Sequence, residues 1–188
     1  MIKYLAKNQN WAKATPFMGI IATILLFLNY DIKEPMFWVL VNIPLYLFHQ
    51  LEEHLWPGGF KDYINQNVNH LSKGEEALTD EKVFWINIVL VWLSFAIIGV
   101  LSFVNIGFGI IIIIFSIVNC ISHIVEGLKS RKYNPGLVMA TLQFLLSLYG
   151  AYYVTTMALT SPLFWWVAAI VFSAVVHVLL FKLVMTKK

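Results

Sequence analysis

Charge and cysteine are both scarce in this chain. Only 12% of its residues are charged, against about a quarter in an ordinary soluble domain. With 60% hydrophobic residues and a mean hydropathy of +0.75, that shortage excludes a water-soluble globular domain and leaves an integral membrane protein. A single cysteine, Cys120, excludes an intrachain disulfide and says nothing of the redox compartment. The net charge of +3 comes from short loops and not from a basic face, which excludes a nucleic-acid partner. No P-loop, G-x-S-x-G, H-E-x-x-H or G-x-G-x-x-G pattern occurs, so the usual nucleotide, serine-hydrolase and zinc-protease readings fall away. The first apolar run ends in Leu28-Asn29-Tyr30-Asp31 without a small-residue cleavage pattern, and no cleavable signal is expected there.

What is present is a series of long apolar runs. A helical span needs about 20 apolar residues, and six stretches qualify: 14–30, 35–53, 83–103, 106–127, 136–159 and 162–184. The expected fold is therefore all-α, a polytopic helix bundle in which residues 1–188 form one membrane domain. The basic residues set its orientation. With the N-terminus inside, the inner segments hold Lys3, Lys7 and Lys13, then Lys61, Lys73 and Lys82, then Lys129, Arg131 and Lys132, then Lys182, Lys187 and Lys188; only Lys33 falls outside. Both termini are thus expected to be cytoplasmic. Trp165 and Trp166 mark the outer level, and Trp56 and Trp85 the inner one. The one long loop carries Phe60, Tyr63, Ile64, Val68 and Leu71 at helical spacing, which predicts an interfacial helix over 60–71.

Ionisable residues inside apolar runs are costly and need partners. Here they cluster at one level. His49, Glu52 and Glu53 end the second span, Asn119, His123 and Glu126 occupy the inner half of the fourth, and His177 lies five residues before Lys182 in the sixth. His49 shares a helix face with Glu52 and Glu53, and His123 shares one with Asn119 and Glu126. His54 points about 140° away from His49 and is the poorer candidate. Imidazole and carboxylate groups from several helices suit zinc, iron or manganese. The expected ligands are His49, Glu53, His123, Glu126 and His177, with Glu52 as general base. Each group also has a plainer reading, as a headgroup contact, an intrahelical pair or a helix–helix hydrogen bond. Arg131 and Lys132 are topology determinants, or hold an anionic headgroup or substrate phosphate.

His49-Gln50-Leu51-Glu52-Glu53 resembles the motif of the HXXEE-domain family, bacterial membrane proteins of uncharacterised function. A further histidine and a Tyr-x-Pro-Gly motif also describe that family; here His123 and Tyr133-Asn134-Pro135-Gly136 match them. The resemblance implies that His49, Glu52, Glu53, His123, Tyr133, Pro135 and Gly136 belong to the defining set. It implies no reaction and no metal.

The residues lead to an expectation of a metal-dependent membrane enzyme, a hydrolase of a lipid or other apolar substrate at the inner leaflet of a bacterial cytoplasmic membrane. Its partners would be membrane lipids and that substrate. The rival readings are a small-solute or proton-coupled transporter, a regulatory or immunity protein of the membrane, and a metal-free acid–base isomerase.

Overall fold

Prolines open or break several helices of this chain. Proline tolerates the first helical turn, where its missing N–H is not needed, and breaks the ladder elsewhere. Pro16, Pro35 and Pro162 accordingly stand in first turns. In the computed structural model, which describes residues 1–185, the elements are all helical and no strand occurs among the described residues. They are α1 (Ile2–Ala6), a tight 3-10 stretch (Lys7–Ala14), α2 (Thr15–Asn29), α3 (Pro35–Leu40), α4 (Asn42–His54), α5 (Phe60–Tyr63), α6 (Asp80–Trp85), α7 (Ser94–Val104), α8 (Gly107–Ser130), α9 (Leu137–Met157) and α10 (Pro162–Met185). Wider π-type turns extend α5 over Ile64–Val68 and join α6 to α7 over Ile86–Leu93. Lys187 and Lys188 lie outside the described residues.

Among the described residues, five helices are long and apolar enough to cross a membrane: Ile2–Asn29, Asp80–Val104, Gly107–Ser130, Leu137–Met157 and Pro162–Lys182. The protein is a multi-pass membrane bundle. The expected second span, 35–53, does not qualify as one uninterrupted helix. Pro44 cannot donate to the Leu40 carbonyl, so the ladder breaks at Val41 and divides the segment into α3 and α4. Val41 keeps helical angles (φ −60°, ψ −24°), so the two halves follow one another as a kinked rod. The interfacial helix predicted over 60–71 also ends earlier, at Val68, because His70 adopts a left-handed φ of 52°.

The helix α8 is central, packing against α7, α9 and α10 and also touching α3 and α4. Close approach is possible because Gly109 lacks a side chain: a Cβ there would stand 2.4 Å from Val39 Cγ2. Val39, Ile110, Ile113, Ile114, Ala151, Val154 and Ala169 fill the end of the bundle away from the histidines. Large apolar side chains such as Phe17, Ile24, Phe164 and Val171 face outward, as a lipid-facing surface requires. The helix α4 is the reverse, with Asn42, His49, Gln50, Glu52, Glu53 and His54 all buried.

Candidate metal centre

Three consecutive residues end α4, and successive helical side chains point about 100° apart. Glu52, Glu53 and His54 therefore face three different surroundings. Glu53 points into the bundle. Its Oε1 lies 3.5 Å from His49 Nε2 and 3.1 Å from His123 Nε2, and its Oε2 lies 3.5 Å from His54 Nε2. His49, Glu53 and His123 are all buried, and their ligand atoms lie within 4.8 Å of one another. Donors on one tetrahedral zinc, at about 2.0–2.1 Å from it, stand about 3.3 Å apart. The spacing around Glu53 Oε1 is of that size.

The His123 ring is held from behind. Asn134 Nδ2 donates to the His123 carbonyl at 3.0 Å, which turns its Oδ1 toward His123 Nδ1 at 3.1 Å. A carbonyl only accepts, so the amide orientation is fixed and His123 Nδ1 must carry the proton. That leaves Nε2 facing Glu53, in the manner of a metal-ligating histidine with its other nitrogen committed to a second partner. Asn119 Nδ2 stands 3.4 Å from His49 Nε2. Ring contacts of His49 with His123 (4.7 Å) and Tyr46 (5.6 Å) complete the packing.

The Tyr133–Gly136 segment covers the cluster. Gly136 has φ +94° and precedes α9. A Cβ on it would stand 2.8 Å from Glu53 Cγ and 3.1 Å from the Cε1 atoms of both His49 and His123. Only glycine satisfies the angle and the space together. Pro135 is buried beside it, while Arg131 is exposed and ends α8 in a left-handed conformation (φ 53°).

Glu52, expected as the general base, has another arrangement. Its Oε1 accepts from the Tyr133 hydroxyl (2.9 Å) and the Val138 N–H (3.1 Å), and its Oε2 from the Met139 N–H (2.6 Å). It thus satisfies free N–H groups in the first turn of α9, where a negative charge is stabilised. Burial and the Glu52 carboxylate push the Tyr133 phenol above its ordinary value, so this hydroxyl remains a donor through the neutral range. The other face of Glu52 borders an apolar cavity of about 870 Å³ between α2, α4 and α9.

His54 opens the opposite way. It borders a smaller polar cavity of about 190 Å³ with Asn8, Gln9, Lys61, Asp62 and Asp80. Trp11 and Phe60 pack on its ring at 5.0 and 5.7 Å. Asn8 N–H and Gln9 Nε2 bond the Asp80 carboxylate, which fastens the N-terminal segment over this side.

The structure brings His49, Glu53 and His123 together, with Asn119, Tyr133, Pro135, Gly136 and Glu52 around them. It does not bring Glu126 or His177 into the group. Glu126 accepts from the Tyr63 hydroxyl at 2.9 Å, which docks α5 on α8. His177 Nδ1 lies 2.8 Å from the Ser173 carbonyl, and its ring packs on Phe115 at 4.9 Å. Phe115 and Tyr46 continue that chain of rings toward His49, so aromatic side chains stand where an imidazole was expected. One contributor, Asn134, was missed in the sequence; His54, ranked there as the poorer candidate, stands 3.5 Å from Glu53 Oε2. Asn134 occupies the variable position of Tyr-x-Pro-Gly, and a buried turn residue beside a candidate ligand was the only available signal.

A family model described as a protein of unknown function with an HXXEE motif matches residues 40–153. No curated protein and no solved structure matches the chain. The match contains His49, Glu52, Glu53, His123 and the Tyr133–Gly136 cover, and the chain belongs to the HXXEE family.

Proposed function

We propose that this protein is a metal-dependent membrane hydrolase, acting on a lipid or other apolar substrate at the cytoplasmic face of a bacterial membrane. The observation that carries the reading is the buried His49–Glu53–His123 set, with spacings that suit zinc, iron or manganese. Three protein ligands are the number found in catalytic sites that keep a position open. A divalent ion held there supplies a water acidified toward neutrality. His49, Glu53 and His123 would hold the ion, while Asn134 fixes the His123 tautomer. His54 lies next to Glu53 Oε2 and at the wall of the polar cavity, which supports a role for it as proton acceptor. Hydrolysis would add water across the scissile bond, its oxygen going to the substrate's electrophilic carbon or phosphorus and a proton going to the leaving group. Glu52 anchors the substrate and the start of α9, and in this reading the candidate base is His54.

One observation favours a second reading. A carboxylate flanked by three imidazoles also makes a proton-transfer centre without a metal. Elemental mass spectrometry of protein purified without chelators separates the two. Near-stoichiometric metal is expected, lost in His49→Ala, Glu53→Gln and His123→Ala, with affinity reduced about 10–100-fold in Asn134→Ala. A well-folded parent that takes up none of the three ions would overturn the metal reading and favour acid–base chemistry.

A further inference from the structure

The cavity bordered by Glu52 has a composition that selects its occupant. Its walls are apolar, built from Leu26 and Phe27 of α2, Leu45 and Phe48 of α4 and Leu142 of α9. Its volume of about 870 Å³ lies within the roughly 300–1,000 Å³ of pockets that enclose one small molecule. The side chains at its wall that carry polar atoms are Thr23, Glu52, Tyr133 and, at the exposed mouth, Trp56. Thr23 is committed to the Gly19 carbonyl at 2.7 Å. No lysine or arginine lines the cavity, so its one charge is the Glu52 carboxylate.

The hydrogen bonds of that carboxylate are uneven. Oε1 takes two donors, while Oε2 takes one, the Met139 N–H. A carboxylate has about four acceptor positions, so Oε2 retains one. The Tyr133 oxygen, which donates to Glu52, still accepts. An apolar chain ending in a hydroxyl or ammonium group meets both requirements. A carboxylate or phosphate head would meet an anion with no cation beside it, in a site of low polarity.

We propose that this cavity binds a single-chain amphiphile whose head donates hydrogen bonds to Glu52, and that it refuses anionic heads. As the identity of the substrate, the inference rests on the hydrolase reading; as a binding site, it stands without the metal. A bromine-labelled long-chain alcohol that quenches Trp56, at the cavity mouth, gives the assay. Unlabelled alcohol, amine, carboxylate and phosphate monoester of one chain length compete against it in detergent. Alcohol and amine are expected to displace the label at least about tenfold better than either anion. The order of those two tells a neutral from a cationic head. Glu52→Gln should remove most of the discrimination, and Leu45→Phe, which fills cavity space without adding a fluorophore, should sharply reduce quenching. Tyr133→Phe, which leaves the backbone donors in place, should weaken alcohol more than amine. Equal displacement by all four heads, or quenching undiminished in Leu45→Phe, would identify ordinary surrounding lipid and overturn the proposal. The metal content of the same samples keeps the two readings apart. His49→Ala should lose metal and retain the head selectivity; selectivity without metal in the parent would sink the hydrolase reading alone.

Discussion

Gly136 shows how tightly single residues are specified at this centre. Gly136→Ala would place a methyl against Glu53, His49 and His123 in a backbone conformation that L side chains rarely adopt. A strained residue of this kind costs about 1–3 kcal/mol. The expected outcome is a lower unfolding temperature in detergent, together with weakened or abolished metal uptake. Unchanged stability and uptake would mean that the cover moves freely away from the cluster. At this scale the sequence was partly legible. His49, Glu53 and His123 stood out because charge inside an apolar run demands a partner. The roles of Glu52 and His54 did not, because helical spacing orders side chains around one axis without saying what occupies the neighbouring space. Glu126 and His177 share the right depth with the cluster, yet depth does not impose contact, and Tyr63 and Phe115 occupy the intervening positions.

Among the elements, the loop between α4 and α6 departs furthest from its pattern. Asn65 sits between apolar positions and reads as a solvent-facing residue, yet it is 2% exposed. Its Oδ1 accepts from the Ala77 and Leu78 N–H groups, and its Nδ2 donates to the Leu78 carbonyl. It clips the helix after Gly59 to the segment leading into α6. Asn65→Ala would strand buried backbone groups at about 1–3 kcal/mol each. A loss of at least about 2 kcal/mol is therefore expected, with faster hydrogen exchange across residues 72–80. Unaltered exchange there would show that the clip is dispensable. The transmembrane elements were far more legible, since length and hydropathy decide them. The break at Val41 was also written in the chain, as Pro44 within an apolar run, but run length alone passed over it.

For the whole molecule, the arrangement of lysines and arginines predicts which way the bundle sits. In a Cys120→Ser background, Lys33→Cys should react with a membrane-impermeant maleimide in intact cells. Lys3→Cys should react only after lysis. The opposite pattern would invert the bundle and move the His–Glu centre to the other face of the membrane. The fold class itself needed no more than the scarcity of charge and the count of apolar runs. The packing of α8 between α4 and α10 needed the structure, because lipid-facing and helix-facing residues in such runs are both apolar.

The concentration of polarity at one end has an electrical consequence. Every buried histidine or carboxylate among the described residues lies at positions 49–54, 123 or 177, while Val39, Ile110, Ile113 and Val154 fill the other end. Moving one elementary charge through a full transmembrane voltage involves about 2.3 kcal/mol per 100 mV. In the proposed orientation, the apolar end carries most of that voltage drop and the centre lies to one side of it. Protons moved in the proposed reaction between Glu53, His54 and the polar cavity would then traverse little of the field. Under the proposed hydrolase reading, the bundle would be an insulator with its chemistry mounted on one terminal, turning over without discharging the membrane it occupies.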